Sequence, residues 1–440
     1  MRVKVAIGAI LALGSTVAAH AWQAQPAPVM QDPRALPSRP VGHAALQALF
    51  DGYVATDKMP GIVAAIGHGD APPAFIAAGA ISSNPGAAKA GPDSLWRVYS
   101  MTKPITAMAA MMLIEDGKMQ LDQPVSDFIP AFKSMRVLNQ PDTSLDSRPA
   151  TRPITIRNLL THTAGLGYSI ITKGPLLKEY ERLGINPAAT NASMEPQMRA
   201  TRPKTLEEFA NRVATLPLIA EPGTKWSYSI ALDVMGRVIE VASGMPFDRF
   251  LQTRIFNPLK MPSTYFTVPR SEVARFADNY AFVGDTRIPF DPAATSVYLS
   301  PPSFPYGGAG LVSSARDYDR FLHMLANEGT LDGVRVMKPE TVRTAMSNLL
   351  PPGVVFGGVG GETGGTSSAQ GFGAGGSVYL ADVPGGASKG TYGWGGAAGT
   401  IAWVDPVRKI RGTVMVNYFP ADKWPIRRDV VRALYSDTRR

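Results

Sequence analysis

Hydrophobic residues at helical spacing occur close to both ends of the chain. Leu46, Phe50 and Tyr53 are four and three positions apart. This spacing puts them on one helix face and predicts an amphipathic helix over residues 44–53. A second helix is predicted near the carboxyl terminus, over residues 427–435. We expect the chain between these two helices to fold as one domain.

Short apolar runs lie just inside the two predicted helices. Residues 62–66 and 74–78 are apolar and are separated by a segment that contains glycine, which is typical of a β-hairpin. Residues 400–404 and 410–417 form a second pair of β-rich runs, joined by a turn that contains proline. The pattern therefore predicts strands near both termini.

Strands at both ends with helices between them indicate the fold class. We predict an α/β (α+β) fold in which one antiparallel sheet is built from both termini, with a helical insertion over about residues 120–300. Residues 44–440 would form a single catalytic domain. The glycine-rich segment 353–376 has no period, so it is interpreted as loops and hairpin turns rather than as a linker.

The start of the chain has the three parts of a secretory signal peptide in the usual order. Arg2 and Lys4 are positive, a short apolar run follows, and residues 19–21 supply small side chains for cleavage. The apolar run is too short to span a membrane. We predict a signal peptide over residues 1–21, a flexible leader over 22–43, and export to the periplasm or the medium. The alternative is a buried amino-terminal helix.

The composition excludes several classes of chemistry. The 440 residues include no cysteine and five histidines, so disulfides and thiol nucleophiles are excluded, and no H-E-x-x-H metal motif occurs. The formal net charge is +9, but the basic residues are scattered, and no nucleic-acid partner is expected. We also expect no metal, no organic cofactor and no transmembrane helix in the mature chain.

One serine stands in a pattern with chemical meaning. Ser100 is the only serine that has a lysine, Lys103, three positions later. Pro104 fits the first turn of a helix, and helix-forming residues continue over 105–115. Because positions i and i+3 share a helix face, the Lys103 amine would reach the Ser100 hydroxyl, which needs a base to act as a nucleophile. A capping serine beside a surface lysine is the structural alternative.

Two later segments change the balance between these alternatives. Residues 159–166 have the sequence L-L-T-H-T-A-G-L, and residues 306–314 have Y-G-G-A-G-L-V-S-S. With the S-x-x-K serine, they resemble the β-lactamase-related serine hydrolases, which include class C β-lactamases and family VIII carboxylesterases. The resemblance covers about residues 45–432. It implies the penicillin-recognising serine hydrolase fold, with Ser100 as the nucleophile and Lys103 as its partner.

The family has a catalytic tyrosine in a Y-x-N motif, and the matching position here is Tyr228. The resemblance implies that the Tyr228 phenol carries the proton between Ser100 and the leaving group. A buried core tyrosine is the alternative. Ile230 stands where the family has asparagine, and isoleucine cannot hydrogen-bond a substrate amide. His162 is interpreted as structural, because a lone histidine without a carboxylate partner is rarely catalytic.

The family's K-T-G motif has no literal match in the chain. Trp394, Gly395, Gly396 and Ala397 precede a predicted strand instead and resemble the W-G-G variant of family VIII esterases. The glycines would let a substrate approach the strand backbone closely. The backbone N–H groups of Ala397 and Ser100 would then form the oxyanion hole. A glycine-rich hairpin turn is the alternative interpretation.

These departures from the family motifs indicate a substrate class. The lysine of K-T-G helps to receive a carboxylate, whereas Trp394 offers one N–H and a flat apolar face. Ile230 points the same way, so both favour a neutral ester over an anionic amide. We predict a carboxylesterase that forms an acyl-serine intermediate with a small-molecule ester or amide. A β-lactamase or D,D-peptidase on the same fold is one alternative, and a catalytically silent protein that binds peptidoglycan or peptides is another.

Overall fold

A computed structural model describes residues 43–186, 188–358 and 369–437. The predicted signal peptide lies outside the described residues, as does the predicted leader apart from its last residue, His43. Part of the glycine-rich segment, residues 359–368, also lies outside them.

The helices in the described residues are α1 (Ala44–Ala55), α2 (Thr102–Glu115), α3 (Ile156–Leu160), α4 (Gly174–Arg182), α5 (Glu195–Thr201), α6 (Leu206–Ala214), α7 (Ala231–Ser243), α8 (Phe247–Leu251), α9 (Ala315–Ala326), α10 (Pro339–Ala345) and α11 (Ile426–Asp437). Within these residues, no helix is long and apolar enough to cross a membrane.

The strands in the described residues are β1 (Gly61–His68), β2 (Ala74–Gly79), β3 (Leu95–Arg97), β4 (Arg136–Leu138), β5 (Ser147–Pro149), β6 (Asn279–Val283), β7 (Thr286–Asp291), β8 (Val312–Ser314), β9 (Thr330–Leu331), β10 (Val334–Arg335), β11 (Gln370–Phe372), β12 (Ser377–Tyr379), β13 (Tyr392–Gly395), β14 (Ile401–Asp405), β15 (Ile410–Met415) and β16 (Tyr418–Phe419).

The largest sheet is assembled from both ends of the chain. Its order in the described residues is β11-β12-β13-β14-β15-β1-β2, and every neighbouring pair is antiparallel. Strand β1 pairs with β15 so that Val63 lies opposite Met415. The predicted antiparallel sheet built from both termini is therefore confirmed, as are both predicted hairpins.

Strand β1 shows why the sheet has a core on each face. Ile62, Ala64 and Ile66 pack into one cluster with α1 and α11, whereas Val63 and Ala65 pack into the larger cluster with α2, α7 and α9. Alternate side chains of a strand point to opposite faces, and here both faces are covered. The strand is consequently apolar along nearly its whole length.

Helix α2 is the central helix of the larger core. Every residue from Thr102 to Leu113 is buried, so the helix has no solvent face except at its carboxyl end. The sequence predicted this helix over residues 105–115. The structure starts it at Thr102, directly after a 3₁₀ turn at Tyr99–Met101. A polar side chain at the amino end of α2 is therefore forced to find partners inside the protein.

The strand that leads into this turn is anchored by a buried ion pair. Arg97, the last residue of β3, donates from Nε to Asp291 Oδ2 at 2.7 Å and from Nη1 to the Ala277 carbonyl at 2.6 Å. Both members of the ion pair are fully buried. The Asn417 side chain also bonds both backbone groups of Arg97. These contacts hold the backbone three residues before Ser100.

We expect Asp291→Ala to lower the free energy of unfolding by about 3–5 kcal/mol, because it leaves the buried Arg97 guanidinium without its carboxylate. The matched control is Asp93→Ala, which breaks an exposed ion pair with Arg316 and should cost about 1 kcal/mol or less. Urea denaturation of both variants measures the difference. Equal losses in the two variants would show that the buried pair does not anchor β3.

Candidate active site

The segment that carries Ser100 has a constrained backbone. Tyr99, the residue before it, has φ of +42°, a conformation that is unfavourable for a residue with a Cβ. Packing and one hydrogen bond hold it there: Asn279 Nδ2 donates to Tyr99 Oη at 2.9 Å, and the Tyr99 ring lies edge-on to Tyr298 and Phe419. The turn thus presents Ser100 at the amino end of α2.

Three of the predicted site residues meet at the Ser100 hydroxyl. Lys103 Nζ lies 3.1 Å from Ser100 Oγ, and Tyr228 Oη lies 2.8 Å from the same atom. Lys103 comes from the first turn of α2, and Tyr228 comes from the loop just before α7. The serine hydroxyl is therefore within hydrogen-bond distance of two groups that can exchange a proton with it.

Lys103 is 0% exposed, so its amine depends on partners within the protein. It donates to the Gly308 carbonyl at 2.7 Å, and it lies over the rings of Tyr228 and Tyr168 at 4.6 and 5.4 Å. In the described residues no carboxylate lies within ion-pair distance of it. The amine is therefore held by the Ser100 hydroxyl, a carbonyl and two ring faces rather than by an ion pair.

Asp233 is a site residue that the sequence analysis missed. It is 1% exposed in the first turn of α7, and its Oδ1 accepts the Gly308 N–H at 2.8 Å. Burial raises the pKa of Asp233 from its ordinary value of 3.8 to about 6, although the Lys103 charge acts in the opposite direction. The signal was an acidic residue in the otherwise apolar start of a helix, five positions after Tyr228.

The approach of Asp233 explains a glycine in the 306–314 segment. A Cβ on Gly308 would lie 2.5 Å from Asp233 Oδ2, so a larger residue would displace either the carboxylate or the loop. Gly308 therefore links two groups through its own backbone: its N–H reaches Asp233, and its carbonyl receives Lys103.

His162 supports the tyrosine from the side. It is fully buried, its Nδ1 lies 2.9 Å from Ser229 Oγ, and its ring packs 4.8 Å from the Tyr228 ring. Burial, with a smaller contribution from the Lys103 charge, keeps the pKa of His162 well below 6.5. The ring is thus neutral at neutral pH and packs beside Tyr228 without adding charge.

Trp394 joins the hydrogen-bonded chain from strand β13. Its Nε1 donates to Tyr228 Oη at 3.3 Å, and the two rings are 5.6 Å apart. Trp394 belongs to a group of buried aromatic residues that we call the aromatic wall: Trp226, Phe356, Phe372 and Trp394. Ile230 is fully buried at the start of α7.

The turn after β13 lies against the Ser100 segment. A Cβ on Gly396 would lie 2.4 Å from the Val98 carbonyl oxygen, which explains why glycine is needed there. Gly396 N–H donates to the Thr400 carbonyl at 2.8 Å and closes the turn. Within the described part of the chain, no group accepts the Ala397 N–H. The sequence prediction thus placed residues 394–397 beside the site, and the structure brings them there.

Among the described residues, no group of His, Asp and Glu side chains is arranged to hold a metal ion.

Comparison with known proteins gives the family of the chain. Residues 46–436 match the family model of the beta-lactamases, so the chain belongs to the beta-lactamase family. It is 34% identical over 346 residues to an uncharacterised protein of Mycobacterium tuberculosis, covering 74% of this chain and 78% of the relative. It is 32% identical over 395 residues to esterase EstB of Burkholderia gladioli, covering 85% of this chain and 90% of the relative.

Solved structures agree with this assignment. EstCE1, described as a hydrolase with promiscuous acyltransferase activity, superposes with a TM-score of 0.71 at 25% identity, covering 89% of this chain and 98% of EstCE1. Unliganded simvastatin synthase from Aspergillus terreus superposes with a TM-score of 0.70 at 23% identity, covering 90% and 98%, and it shares the fold. The chain is therefore a serine hydrolase of the beta-lactamase family, and the predicted fold and family are confirmed.

The titration of Asp233 should make a contribution to the free energy of unfolding that depends on pH. Its folded-state pKa of about 6 lies above the ordinary 3.8, so its contribution to stability is fully present below pH 3.8 and is lost as the pH rises through 6. Asp233→Asn removes this pH-dependent contribution, because asparagine does not titrate. Its free energy of unfolding, relative to the parent, should rise by about 1–2 kcal/mol between pH 5 and pH 8.

Urea denaturation of both proteins at the two pH values measures this change. A difference between variant and parent that stays the same at both pH values would contradict the assigned titration of Asp233.

Proposed function

We propose that this protein hydrolyses carboxylic esters through an acyl-enzyme formed on Ser100. The observation that carries the proposal is the pair of contacts to Ser100 Oγ, from Lys103 Nζ at 3.1 Å and from Tyr228 Oη at 2.8 Å. A serine needs a base to attack a carbonyl carbon, and both partners are buried with it. Lys103 and Tyr228 contact the same oxygen, so we treat them as one coupled proton acceptor.

Acylation follows from these contacts. Ser100 Oγ attacks the ester carbonyl carbon while its proton passes to the Lys103–Tyr228 pair. The bond between the carbonyl carbon and the alkoxy oxygen then breaks, and the pair returns the proton to the departing alcohol. Water attacks the acyl-serine by the same route in reverse. This restores Ser100 and releases the carboxylic acid.

The negative charge that develops on the carbonyl oxygen needs donors placed in advance. We assign the backbone N–H groups of Ser100 and Ala397 to this role. The assignment is supported by the contact between Gly396 and Val98, which sets the turn after β13 beside the Ser100 segment. Backbone donors at fixed positions stabilise an oxyanion without reorganising during the reaction.

The proposed substrate is a neutral ester with an apolar acyl or alkyl group. Trp394 stands where a carboxylate-binding lysine is found in related enzymes, and its N–H is already used by Tyr228. The aromatic wall adds apolar surface beside it. Two relatives are ester-cleaving by name: esterase EstB of Burkholderia gladioli and lovastatin esterase of Penicillium rubens, which is 31% identical over 333 residues.

The decisive experiment compares the parent and Ser100→Ala on p-nitrophenyl butyrate, with nitrocefin assayed in parallel. We expect the parent to cleave the ester and to act weakly or not at all on nitrocefin. The variant should lose at least about 10³-fold in kcat, because the nucleophile is removed. A fluorophosphonate probe should label the parent on Ser100 and leave the variant unlabelled.

Each other outcome has a clear meaning. Faster turnover of nitrocefin than of the ester would assign the site to a β-lactamase or D,D-peptidase instead. Ester turnover that survives in Ser100→Ala would remove Ser100 as the nucleophile. If the parent neither turns over substrate nor reacts with the probe, a silent binding protein is the better description.

We also propose that the protein is exported. The proposal is supported by the positive residues Arg2 and Lys4, the apolar run after them and the small residues Ala19 and Ala21. Expression of the full chain in a Gram-negative bacterium, followed by mass spectrometry of its amino terminus, tests it. We expect an amino terminus near Trp22 and recovery from the periplasm or medium. A cytoplasmic protein that keeps residues 1–21 would refute it.

A further inference from the structure

Arg427, near the start of α11, reaches back to the turn after β13. Its Nη2 donates to the Gly396 carbonyl at 2.7 Å and to the Thr400 carbonyl at 3.1 Å. Gly396 N–H bonds the same Thr400 carbonyl. One guanidinium nitrogen therefore joins both ends of the turn that contains Ala397.

The Gly396 carbonyl and the Ala397 N–H belong to the same peptide unit. A peptide unit is planar, and in its usual trans form the C=O and N–H bonds point in opposite directions. A guanidinium that fixes the Gly396 oxygen therefore also fixes the direction of the Ala397 N–H. The other end of this peptide unit is the Ala397 N–H, to which we assign oxyanion binding.

The contact also acts electronically. A cationic donor on a carbonyl oxygen forms a strong hydrogen bond, and it polarises the peptide so that the N–H at its other end is a better donor. Burial lowers the pKa of Arg427 to about 10, and Tyr228 acts in the opposite direction. The guanidinium therefore stays charged at neutral pH.

The chain makes room for this contact with a glycine. A Cβ on Gly395 would lie 2.6 Å from Arg427 Nη2, so a larger residue there would displace the guanidinium. Glycine at the second position of the W-G-G segment therefore leaves room for Arg427, and glycine at the third, Gly396, leaves room for the Val98 carbonyl.

We infer that Arg427 is a positioning residue for ester hydrolysis, which aims and polarises the Ala397 N–H through the Gly396 carbonyl. The inference rests on the proposed function, because it requires the Ala397 N–H to stabilise the oxyanion. Oxyanion binding would then require a residue of the carboxyl-terminal helix α11, in addition to Ser100, Lys103 and Tyr228.

The test compares Arg427→Gln, Arg427→Lys and the control Arg428→Gln on p-nitrophenyl butyrate. Arg428 is the next residue on the same helix, and its side chain is 63% exposed. We expect Arg427→Gln to lower kcat by about 10- to 100-fold, because a weakened oxyanion donor acts on the transition state, with KM changed less than about twofold. Fluorophosphonate labelling should slow by a similar factor, and Arg428→Gln should match the parent.

Arg427→Lys separates position from charge. A lysine keeps the positive charge but lacks the planar guanidinium that spans two carbonyls, so its kcat should fall nearly as far as that of Arg427→Gln. The pH dependence of kcat should keep its shape in all three variants. Thermal melting of each variant shows whether it is folded at the assay temperature.

Two results would overturn the inference. One is a parent-like kcat in a folded Arg427→Gln variant. The other is a parent-like Arg427→Lys together with a shifted pH profile in Arg427→Gln, which would assign the effect to charge near Tyr228. Failure of the proposed function is distinguishable from both, since it appears as unchanged ester turnover in Ser100→Ala or as an inactive parent.

Discussion

The arrangement of the site depends on the contacts that the buried amine of Lys103 makes. A fully buried amine must be hydrogen-bonded, and an isolated buried charge is costly. Its partners are the Ser100 hydroxyl, the Gly308 carbonyl and the faces of two tyrosine rings. Within the described residues none of these partners is a carboxylate, so the amine is positioned without an ion pair. Because burial removes water from the amine, these partners fix where it lies relative to the Ser100 hydroxyl.

Asp233 acts on Lys103 indirectly, through Gly308. Its carboxylate reaches the N–H of Gly308, while the Gly308 carbonyl reaches Lys103. The contact fixes the loop that presents the carbonyl, and it leaves the Gly308 residue between the acid and the amine. Placed directly on the amine, an acidic residue would make a strong ion pair and favour the protonated form.

Local patterns predicted the parts of the fold and site that depend on neighbours in sequence. The helix after Ser100, the two terminal hairpins and the proximity of Ser100 to Lys103 all follow from short spacings. The strand predicted over 410–417 ends earlier, at Met415, and two residues later the Asn417 side chain bonds the backbone of Arg97. Such a contact joins residues that are distant in sequence, and the periodicity of hydrophobic residues cannot predict it.

The same limit applied to the groups that complete the site. Asp233 accepts from the Gly308 N–H and Arg427 donates to the Gly396 carbonyl, and every residue type except proline carries both of these backbone groups. The sequence signals were an acidic residue, Asp233, in the apolar start of a helix, and the glycines, which leave room for the Asp233 carboxylate and the Arg427 guanidinium. A glycine-rich segment beside a catalytic motif is therefore informative chiefly about what packs against it.

Trp394 connects the proposed substrate preference with the proton relay. Its indole N–H bonds the Tyr228 oxygen, and its ring belongs to the aromatic wall. A lysine at this position would supply a cation that binds a substrate carboxylate. It would also remove the apolar face of the indole and put a second cation beside Tyr228, near Lys103. Ile230 is buried in the core and would still offer no amide to the substrate. The proposed preference for a neutral ester thus depends on the packing around Tyr228 as a unit, and not on one side chain that could be exchanged independently.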